Sequence, residues 1–170
     1  MVYARYHSPL GYILLSSADG FLTGLYFEDQ ILQAHSLEIE ASAQPVIQET
    51  FQWLDAYFAG KQPSPTLLPL QLNGSPFQQK VWQLLLEIPY GETITYGQLA
   101  KCFPGKMSAQ AVGQAVSKNP ISIIIPCHRV LGSDKYLTGY ASGIDKKVWL
   151  LTHEGHNESS FKYPKKHRGK

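Results

Sequence analysis

Residues 123–130 read IIIPCHRV, and the interpretation of the fold starts from this stretch. Three isoleucines in a row predict a strand that is buried in the core of a protein containing both strands and helices. The run ends in a proline, a cysteine, a histidine and an arginine, which a buried strand does not require. Either Cys127 is a packing residue, as most lone cysteines are, or the core presents its thiol to a substrate.

The composition is that of an ordinary globular protein. The chain has 170 residues and 44% of them are hydrophobic, which suits one compact unit or two small domains. No apolar run reaches the roughly 20 residues of a membrane span, and the first residues lack the order of a signal peptide. We therefore expect a cytoplasmic protein with no membrane partner. Its two cysteines, Cys102 and Cys127, are expected to be free thiols.

The formal net charge of +2 is unevenly distributed along the chain. Residues 1–89 carry three Lys/Arg and eight Asp/Glu, whereas residues 91–150 carry seven Lys/Arg and three Asp/Glu. Residues 156–170 add five basic residues and one acidic residue. Such segregation is one indication of nucleic-acid binding. A solvated basic face followed by a disordered tail is the alternative explanation, and charge alone favours it.

The N-terminal part reads as a small sheet followed by a helix. Alternating apolar residues between turn signals predict strands near residues 3–6, 12–16 and 21–27, joined as an antiparallel meander. Apolar residues then recur at helical spacing between Pro45 and Gly60, which predicts a helix. The proline-rich stretch that follows, KQPSPTLLPL, is typical of a linker.

The second part reads as a series of helices. Ser75 and Pro76 predict a helix start, and Thr95 and Gln98 match a capping box that opens a short helix. Ser108 can cap the next helix, so that the two form a helix-turn-helix. The small residues of the second helix would let its backbone approach another surface, or pack closely on a neighbouring helix. A last helix is expected near residues 145–154.

These elements predict an α+β fold with three regions. Residues 1–70 would form an N-terminal domain with an antiparallel sheet and a helix. Residues 71–155 would form a mainly helical domain that carries the helix-turn-helix. Residues 156–170 would be a basic, disordered tail.

The residues after Cys127 are suited to activating a thiol. His128 supplies an acid-base group and Arg129 a positive charge, and both would favour the thiolate form. Adjacent side chains do not normally face each other, so His128 would reach the sulfur through a bridging water. A carboxylate could orient the imidazole from its other nitrogen. Three acidic residues could supply it: Asp134, Asp145 and Glu154.

At this point the sequence resembles a known family, the O6-alkylguanine-DNA alkyltransferases, also called methylated-DNA–protein-cysteine methyltransferases. PCHRV resembles the acceptor-site motif of that family. The similarity extends over FQQKVWQLLLEIPYGETITYGQLA, AVGQAVSKNPISIIIPCHRV and GYASGIDKKVWLLTHEG, in the family's order and spacing. The N-terminal part resembles the family only through LDAYFAGK. The resemblance implies a ribonuclease H-like N-terminal domain and a winged-helix-like C-terminal domain.

The resemblance also implies a role for each matching residue. Cys127 would accept the alkyl group, His128 would be its water-mediated base, and Glu154 would orient His128. Tyr96 would hydrogen-bond the guanine ring as its oxygen leaves. The remaining contacts to the flipped base would come from Cys127, Val130, Asn119, Tyr140, Ala141 and Ser142.

The partner implied by the resemblance is double-stranded DNA that bears O6-alkylguanine, and the sequence leaves activity on O4-alkylthymine open. The protein would act as a monomer through the minor groove, without a cofactor. No cysteine precedes Cys102, so we expect no counterpart of the zinc site found in some relatives. The expected DNA contacts are Thr95, Ser108, Ala109, Gln110, Ala111, Gly113 and Arg129.

One residue departs from the family's pattern. Relatives usually read alanine-arginine-alanine-valine-glycine where residues 109–113 read AQAVG. Gln110 therefore stands in place of the arginine that enters the base stack as the nucleotide leaves. Glutamine is shorter and uncharged, so we expect weaker duplex binding or base extrusion.

Two other functions remain compatible with these residues. A protein of the same fold could bind alkylated DNA without repairing it, although the presence of Cys127 argues against this. A cysteine hydrolase could use Cys127 and His128 on a small molecule, although the helix-turn-helix and the charge distribution argue against that.

Overall fold

A computed structural model describes residues 1–31, 44–138, 140 and 143–164. The fold is α+β and divides into two compact units, neither of which is continuous in sequence. Unit 1 consists of Met1–Asn73 and Pro120–Ile124, and unit 2 of Gly74–Asn119 and Ile125–Lys170. Within the described residues, none of the helices is long and apolar enough to cross a membrane.

Unit 1 contains the predicted antiparallel meander. Its strands are β1 (Val2–Ser8), β2 (Gly11–Ala18) and β3 (Phe21–Phe27), in that spatial order. Asp19 and Gly20 join β2 to β3 with φ angles of 53° and 82°. Two consecutive residues at positive φ are typical of a type I′ turn, whose twist matches that of the paired strands. The SADG turn signal in the sequence therefore corresponds to a tight hairpin.

The helix of unit 1, α1 (Pro45–Phe58), covers one side of its core. Proline occupies its first turn, where no intrahelical N–H bond is lost. Ile47 and Leu54 are fully buried, as expected for the apolar face. The Tyr6 hydroxyl of β1 donates a hydrogen bond of 2.7 Å to Asp55 Oδ1, which fixes α1 to the sheet.

The outer edge of β3 is covered by two other segments of the chain. Leu22 N–H donates to the Pro69 carbonyl at 2.8 Å. Leu25 N–H donates to the Pro120 carbonyl at 2.9 Å, and Ser122 N–H donates to the Leu25 carbonyl at 3.2 Å. These bonds occupy backbone groups that an edge strand would otherwise leave unpaired. Sequence periodicity gave no sign that residues 120–124 belong to unit 1.

Unit 2 consists mainly of helices. Its elements are α2 (Pro76–Leu86), β4 (Ile94–Thr95), α3 (Tyr96–Ala100), α4 (Ala109–Ser117), β5 (Val130–Leu131) and α5 (Ile144–His153). The helices α3 and α4 form the predicted helix-turn-helix. The capping box is present, because Thr95 Oγ1 accepts from Gln98 N–H at 3.0 Å and Gln98 Oε1 accepts from Thr95 N–H at 2.8 Å. The Trp82 indole N–H donates to the Ala115 carbonyl at 2.9 Å and ties α2 to α4.

The isoleucine run is not the strand that was predicted. Ile124 N–H donates to the Ser122 carbonyl and Cys127 N–H donates to the Ile125 carbonyl, each at 2.8 Å. Each bond spans three residues and closes a γ-turn. The first is centred on Ile123, whose φ of 71° is costly for a β-branched side chain. The run is apolar because it is buried, although it does not pair as a strand. Its conformation is therefore set by burial and not by the β-propensity of isoleucine.

The tail also differs from the prediction of disorder. Residues 158–160 form a 3₁₀ helix, and Phe161 is only 7% exposed. The Phe161 ring packs into a cluster with residues of β5 and α5. The composition of the tail is polar and basic, but its Phe161 ring is buried against unit 2, which composition alone does not indicate. Residues 165–170 of the predicted tail lie outside the described part of the chain.

Candidate active site

Cys127 is the first residue of a short 3₁₀ helix, Cys127–Arg129, which follows the γ-turn at Pro126. Its side chain is nearly enclosed, since only 6% of the residue is exposed. Successive residues of a 3₁₀ helix project about 120° apart, so the side chains of Cys127 and His128 diverge. This geometry agrees with the expectation that the imidazole reaches the sulfur through a water.

His128 and Glu154 form a buried pair. His128 Nε2 lies 2.7 Å from Glu154 Oε2, and both side chains are 0% exposed. Of the three carboxylates considered from sequence, Glu154 is therefore the one that orients the imidazole. His128 Nδ1 is also buried and has no hydrogen-bond partner among the described residues. The nitrogen that would accept a proton relayed from Cys127 is thus available.

Burial and the partner charges set the protonation of this pair. Burial lowers the pKa of His128, and the Glu154 charge only partly opposes that fall. Burial alone would raise the pKa of Glu154, but the charge and hydrogen bond of His128, together with Arg129, hold the pKa of that carboxyl well below its usual range. A neutral imidazole therefore donates its Nε2 proton to a carboxylate, which leaves a lone pair on Nδ1.

Arg129 is not placed where the sequence analysis expected a DNA contact. Its Nε and Nη2 donate to Glu154 at 2.7 and 3.1 Å, and its Nη1 donates to the Ile88 carbonyl at 2.7 Å. The residue is 8% exposed. A guanidinium whose donors bind a buried carboxylate and a backbone carbonyl positions the Glu154 carboxylate, so the expected DNA contact of Arg129 is wrong. Adjacency in sequence had suggested a free positive charge beside Cys127.

The groups that act on the Cys127 thiol are two predicted site residues, Asn119 and Tyr140, and one residue that was not predicted, Lys147. Burial raises the pKa of the Cys127 thiol, and Asn119, Lys147 and Tyr140 each act in the opposite direction. The Asn119 side chain also donates a 2.8 Å hydrogen bond to the Ile125 carbonyl. The resting thiol is therefore protonated, contrary to the expected thiolate, and its proton must leave as the sulfur reacts.

Lys147 is a residue of the site that the sequence analysis missed. It is 0% exposed, and its Nζ donates to the carbonyls of Val130 at 2.6 Å and Thr138 at 3.0 Å. Burial lowers the pKa of Lys147 to about 8, and the negative charge of a Cys127 thiolate would raise it. Its helical spacing could have indicated that it is buried, because Lys147 shares a helix face with the buried Leu150 and Leu151.

Tyr96 begins α3 and faces a cleft with a volume of about 730 Å³. Burial raises the pKa of its hydroxyl, which therefore remains a hydrogen-bond donor. A Cβ added at Gly113 would lie 3.5 Å from the Tyr96 ring, an ordinary van der Waals distance, so α4 passes close to Tyr96 at this position. The lining also includes Thr95, Gly97, Ala109, Gln110, Gly113, Gln114, Ser117, Gly132, Ser133 and Thr138.

The other predicted site residues are distributed as follows. Ser108, Ala109 and Gln110 are exposed at the start of α4, and Ala111 is partly exposed. Val130 and Tyr140 are buried. The Val130 carbonyl already accepts a hydrogen bond from Lys147, and a carbonyl oxygen has a second lone pair for another donor. The predicted contacts at Ala141 and Ser142 lie outside the described residues.

Two family models match most of the chain. Residues 1–72 match the ribonuclease-like domain of 6-O-methylguanine DNA methyltransferase, and residues 76–156 match its DNA binding domain. A methylated-DNA–protein-cysteine methyltransferase from Methanosarcina acetivorans is 43% identical over 158 residues, which is 91% of this chain and 99% of the relative. The enzyme of the same name from Mycobacterium leprae is 44% identical over 88% of this chain and 89% of its own length.

Solved structures give the same result for the fold. The structure of Mycobacterium tuberculosis OGT in complex with DNA superposes with a TM-score of 0.78 at 38% identity. The match covers 95% of this chain and 96% of that one. An O6-methylguanine DNA methyltransferase from Methanococcus jannaschii superposes with a TM-score of 0.63 at 28% identity, covering 95% and 98% of the two chains.

Proposed function

The chain belongs to the 6-O-methylguanine DNA methyltransferase family and repairs DNA by alkyl transfer, and we propose that Cys127 is the residue that accepts the alkyl group. One observation carries this assignment. His128 forms a buried pair with Glu154, and its Nδ1 has no hydrogen-bond partner in the described part of the chain, one residue from a buried thiol. A cysteine that served only in packing would need no neighbouring base of this kind.

DNA is the partner, and the helix-turn-helix is its proposed binding surface. The exposed start of α4 carries Ser108, Ala109 and Gln110, whose small or uncharged side chains let the helix backbone approach a narrow minor groove. The lesion is O6-alkylguanine in a duplex. The protein acts as a cytoplasmic monomer and requires no cofactor.

The alkylated nucleotide must leave the duplex before it can react. Inside the helix its O6 atom is out of reach of a buried sulfur, so the base rotates out of the stack toward Tyr96 and Cys127. Asn119, Val130 and Tyr140, together with Ala141 and Ser142, supply the remaining contacts to the base. The Tyr96 hydroxyl, which stays protonated, donates to the purine as negative charge grows on it.

The transfer balances as a single displacement. The Cys127 proton passes through a water to His128 Nδ1, and the sulfur attacks the alkyl carbon. The carbon–sulfur bond forms while the carbon–O6 bond breaks, and the electron pair of that bond leaves with the guanine. Glu154 stabilises the imidazolium that results, since its carboxylate lies 2.7 Å from Nε2.

The product limits each molecule to one reaction. Cys127 ends as a thioether, which unlike a thioester has no carbonyl for water to attack. Nothing in the proposed chemistry regenerates the thiol, so transfer is stoichiometric.

The test is to mix the full chain with duplex DNA that carries O6-methylguanine labelled in its methyl group. We expect up to one equivalent of label to move to the protein, and peptide mass mapping to place it on Cys127. Label that stays on bound DNA would instead identify a lesion-binding protein. A chain that neither binds the duplex nor takes up label would favour the hydrolase.

The residue at position 110 is expected to limit repair of duplex DNA. The Gln110→Arg variant should raise the transfer rate on duplex DNA by about tenfold. An arginine that enters the base stack and offsets about 1.4 kcal/mol of the unstacking free energy would increase the rate by that factor. The rate with free O6-benzylguanine should change little, since the free base needs no extrusion. Single-turnover rates on the two substrates provide the measurement.

The control for position 110 is Gln114→Arg. Gln114 lies one turn further along α4 and lines the same cleft. An arginine at position 114 adds the same charge but is not at the position from which the family's arginine enters the base stack. If Gln114→Arg raises the duplex rate as much as Gln110→Arg, general attraction to phosphate explains the gain. If both substrates respond equally to Gln110→Arg, extrusion is not limited by Gln110.

A further inference from the structure

The residues that follow α5 fold back along unit 2 as an ordered strap, which we define as residues 157–164. Its first part is fixed by Asn157, whose Oδ1 accepts from Ser159 N–H at 3.1 Å. Its anchor is Phe161, which is 7% exposed and packs with Leu131, Leu137, Val148 and Leu151. The DNA-binding family model ends at residue 156, so the strap follows the part of the chain that the family description covers.

The strap is bonded to one segment of unit 2 in particular, the cleft loop, defined as residues 132–138. Leu137 N–H donates to the Lys162 carbonyl at 2.7 Å, and Lys162 N–H donates to the Lys135 carbonyl at 3.0 Å. These two bonds flank Tyr136 and make a short parallel bridge. Lys162 Nζ also pairs with the Asp134 carboxylate, but both side chains are exposed, so this pair adds little.

The cleft loop has a conformation that needs external support. Asp134 and Lys135 have φ angles of 56° and 61°, a left-handed conformation that non-glycine residues rarely adopt in succession. Within the loop, Gly132 N–H donates to the Tyr136 carbonyl at 2.9 Å. A strained backbone of this kind persists only where its surroundings hold it in place.

The cleft loop also borders Tyr96, the residue proposed to bind the flipped base. Ser133 and Thr138 line the cleft beside Tyr96, and Lys147 holds the Thr138 carbonyl from α5 at 3.0 Å. Leu137, between the strap bonds and Thr138, is fully buried against the Phe161 cluster. The loop is therefore held by Lys147 on one side and by the strap on the other.

We propose that the strap positions the cleft loop for the flipped base, with Phe161 as the positioning residue that acts through Leu137. The inference rests on the proposed function, because it concerns the geometry of the same cleft. Loss of the Phe161 ring would release Leu137 and let the loop relax from its left-handed conformation. Ser133 and Thr138 would then move relative to Tyr96, while Cys127 and its base would keep their own contacts.

The test compares two reactions of the full chain in a Cys102→Ser background, so that Cys127 is the one remaining thiol. Phe161→Ala should slow alkyl transfer from duplex DNA by about tenfold or more, since a displacement of 1 Å can cost on the order of 100-fold. Its alkylation by iodoacetamide, a small electrophile that needs no base-binding cleft, should stay within about twofold of the parent rate. Phe161→Leu should restore transfer.

Phe51→Ala is the matched control, because it removes a half-buried phenylalanine from α1 in unit 1. It should lower the melting temperature and leave transfer unchanged. Should Phe161→Ala fail to fold, Phe161→Val provides a smaller truncation with the same two readouts. Unchanged transfer, or an equal loss of transfer and of iodoacetamide reactivity, would overturn the positioning role. A parent protein that takes up no label would instead refute the proposed function.

Discussion

Replacement of Cys127 by serine is expected to abolish alkyl transfer while leaving affinity for alkylated DNA within about threefold, since binding is dominated by phosphate and groove contacts. Serine occupies a similar volume in the buried position, so the γ-turn and the 3₁₀ helix should be retained. Its hydroxyl is far less acidic and less nucleophilic than a thiol, and His128 cannot make up the difference. Single-turnover transfer and fluorescence anisotropy with labelled duplex measure the two effects separately.

The companion variant is Cys102→Ser. Cys102 is exposed, and its sulfur contacts the Gln98 carbonyl oxygen at 3.7 Å within the helix-turn-helix. We expect its transfer rate to equal that of the parent. Transfer by Cys127→Ser at a rate close to that of the parent would refute the assignment of Cys127 as the acceptor. A loss in Cys102→Ser alone would move the acceptor to the other thiol.

The second large effect is expected for Glu154→Gln. The amide removes the charge that faces His128 and Arg129, which leaves the guanidinium buried without its counter-ion. Breaking such a pair typically costs about 3–5 kcal/mol in the free energy of unfolding. Transfer should fall by about 100-fold or more, because the imidazolium formed during reaction loses its partner. Denaturant unfolding and single-turnover rates measure the two losses.

The pH dependence of stability gives a second readout for Glu154. Because its pKa is depressed in the folded state, the carboxylate stabilises the fold fully above its unfolded pKa of about 4.3. That contribution is lost as the pH falls below this value toward the folded pKa. The Glu154→Gln variant should therefore show a weaker loss of stability in the acid range than the parent does.

A double variant separates the structural and chemical roles of Glu154. Replacement of Arg129 by methionine together with Glu154→Gln removes the orphaned charge, and such neutral replacements often restore stability. We expect stability to recover and transfer to remain low, since His128 still lacks a carboxylate. Recovery of transfer along with stability would mean that Glu154 acts only on the fold.

Local signals in the sequence predicted much of the secondary structure. The capping box at Thr95 and Gln98 and the hairpin signal at Asp19 and Gly20 involve neighbouring residues, so their physics is readable from short stretches. The strand predicted for the isoleucine run is absent, because Ile123 is buried in a turn and not in a paired strand. Periodicity measures burial and cannot by itself distinguish a strand from a buried turn.

For the site as well, some features could be predicted from the sequence and others could not. The role of Glu154 followed from the family pattern, and its 2.7 Å contact with His128 agrees with it. Arg129 was misjudged and Lys147 was missed because the partners of both side chains are distant in sequence. Arg129 finds its carboxylate 25 positions away, and Lys147 finds the Val130 carbonyl 17 positions away. Helical spacing could indicate that Lys147 is buried, but no short-range pattern identifies its partners or those of Arg129.

The cover over the edge of β3 has a consequence for biosynthesis. The Leu25 partners Pro120 and Ser122 belong to a segment that leaves the ribosome well after the rest of unit 1. At roughly 5–20 residues per second, the intervening ~50 residues take several seconds to synthesise. During that interval the nascent unit 1 has a half-open sheet edge, which is a template for pairing with other chains. Translation pauses before residues 120–124 have left the ribosome should therefore increase aggregation, whereas pauses after they have left should not.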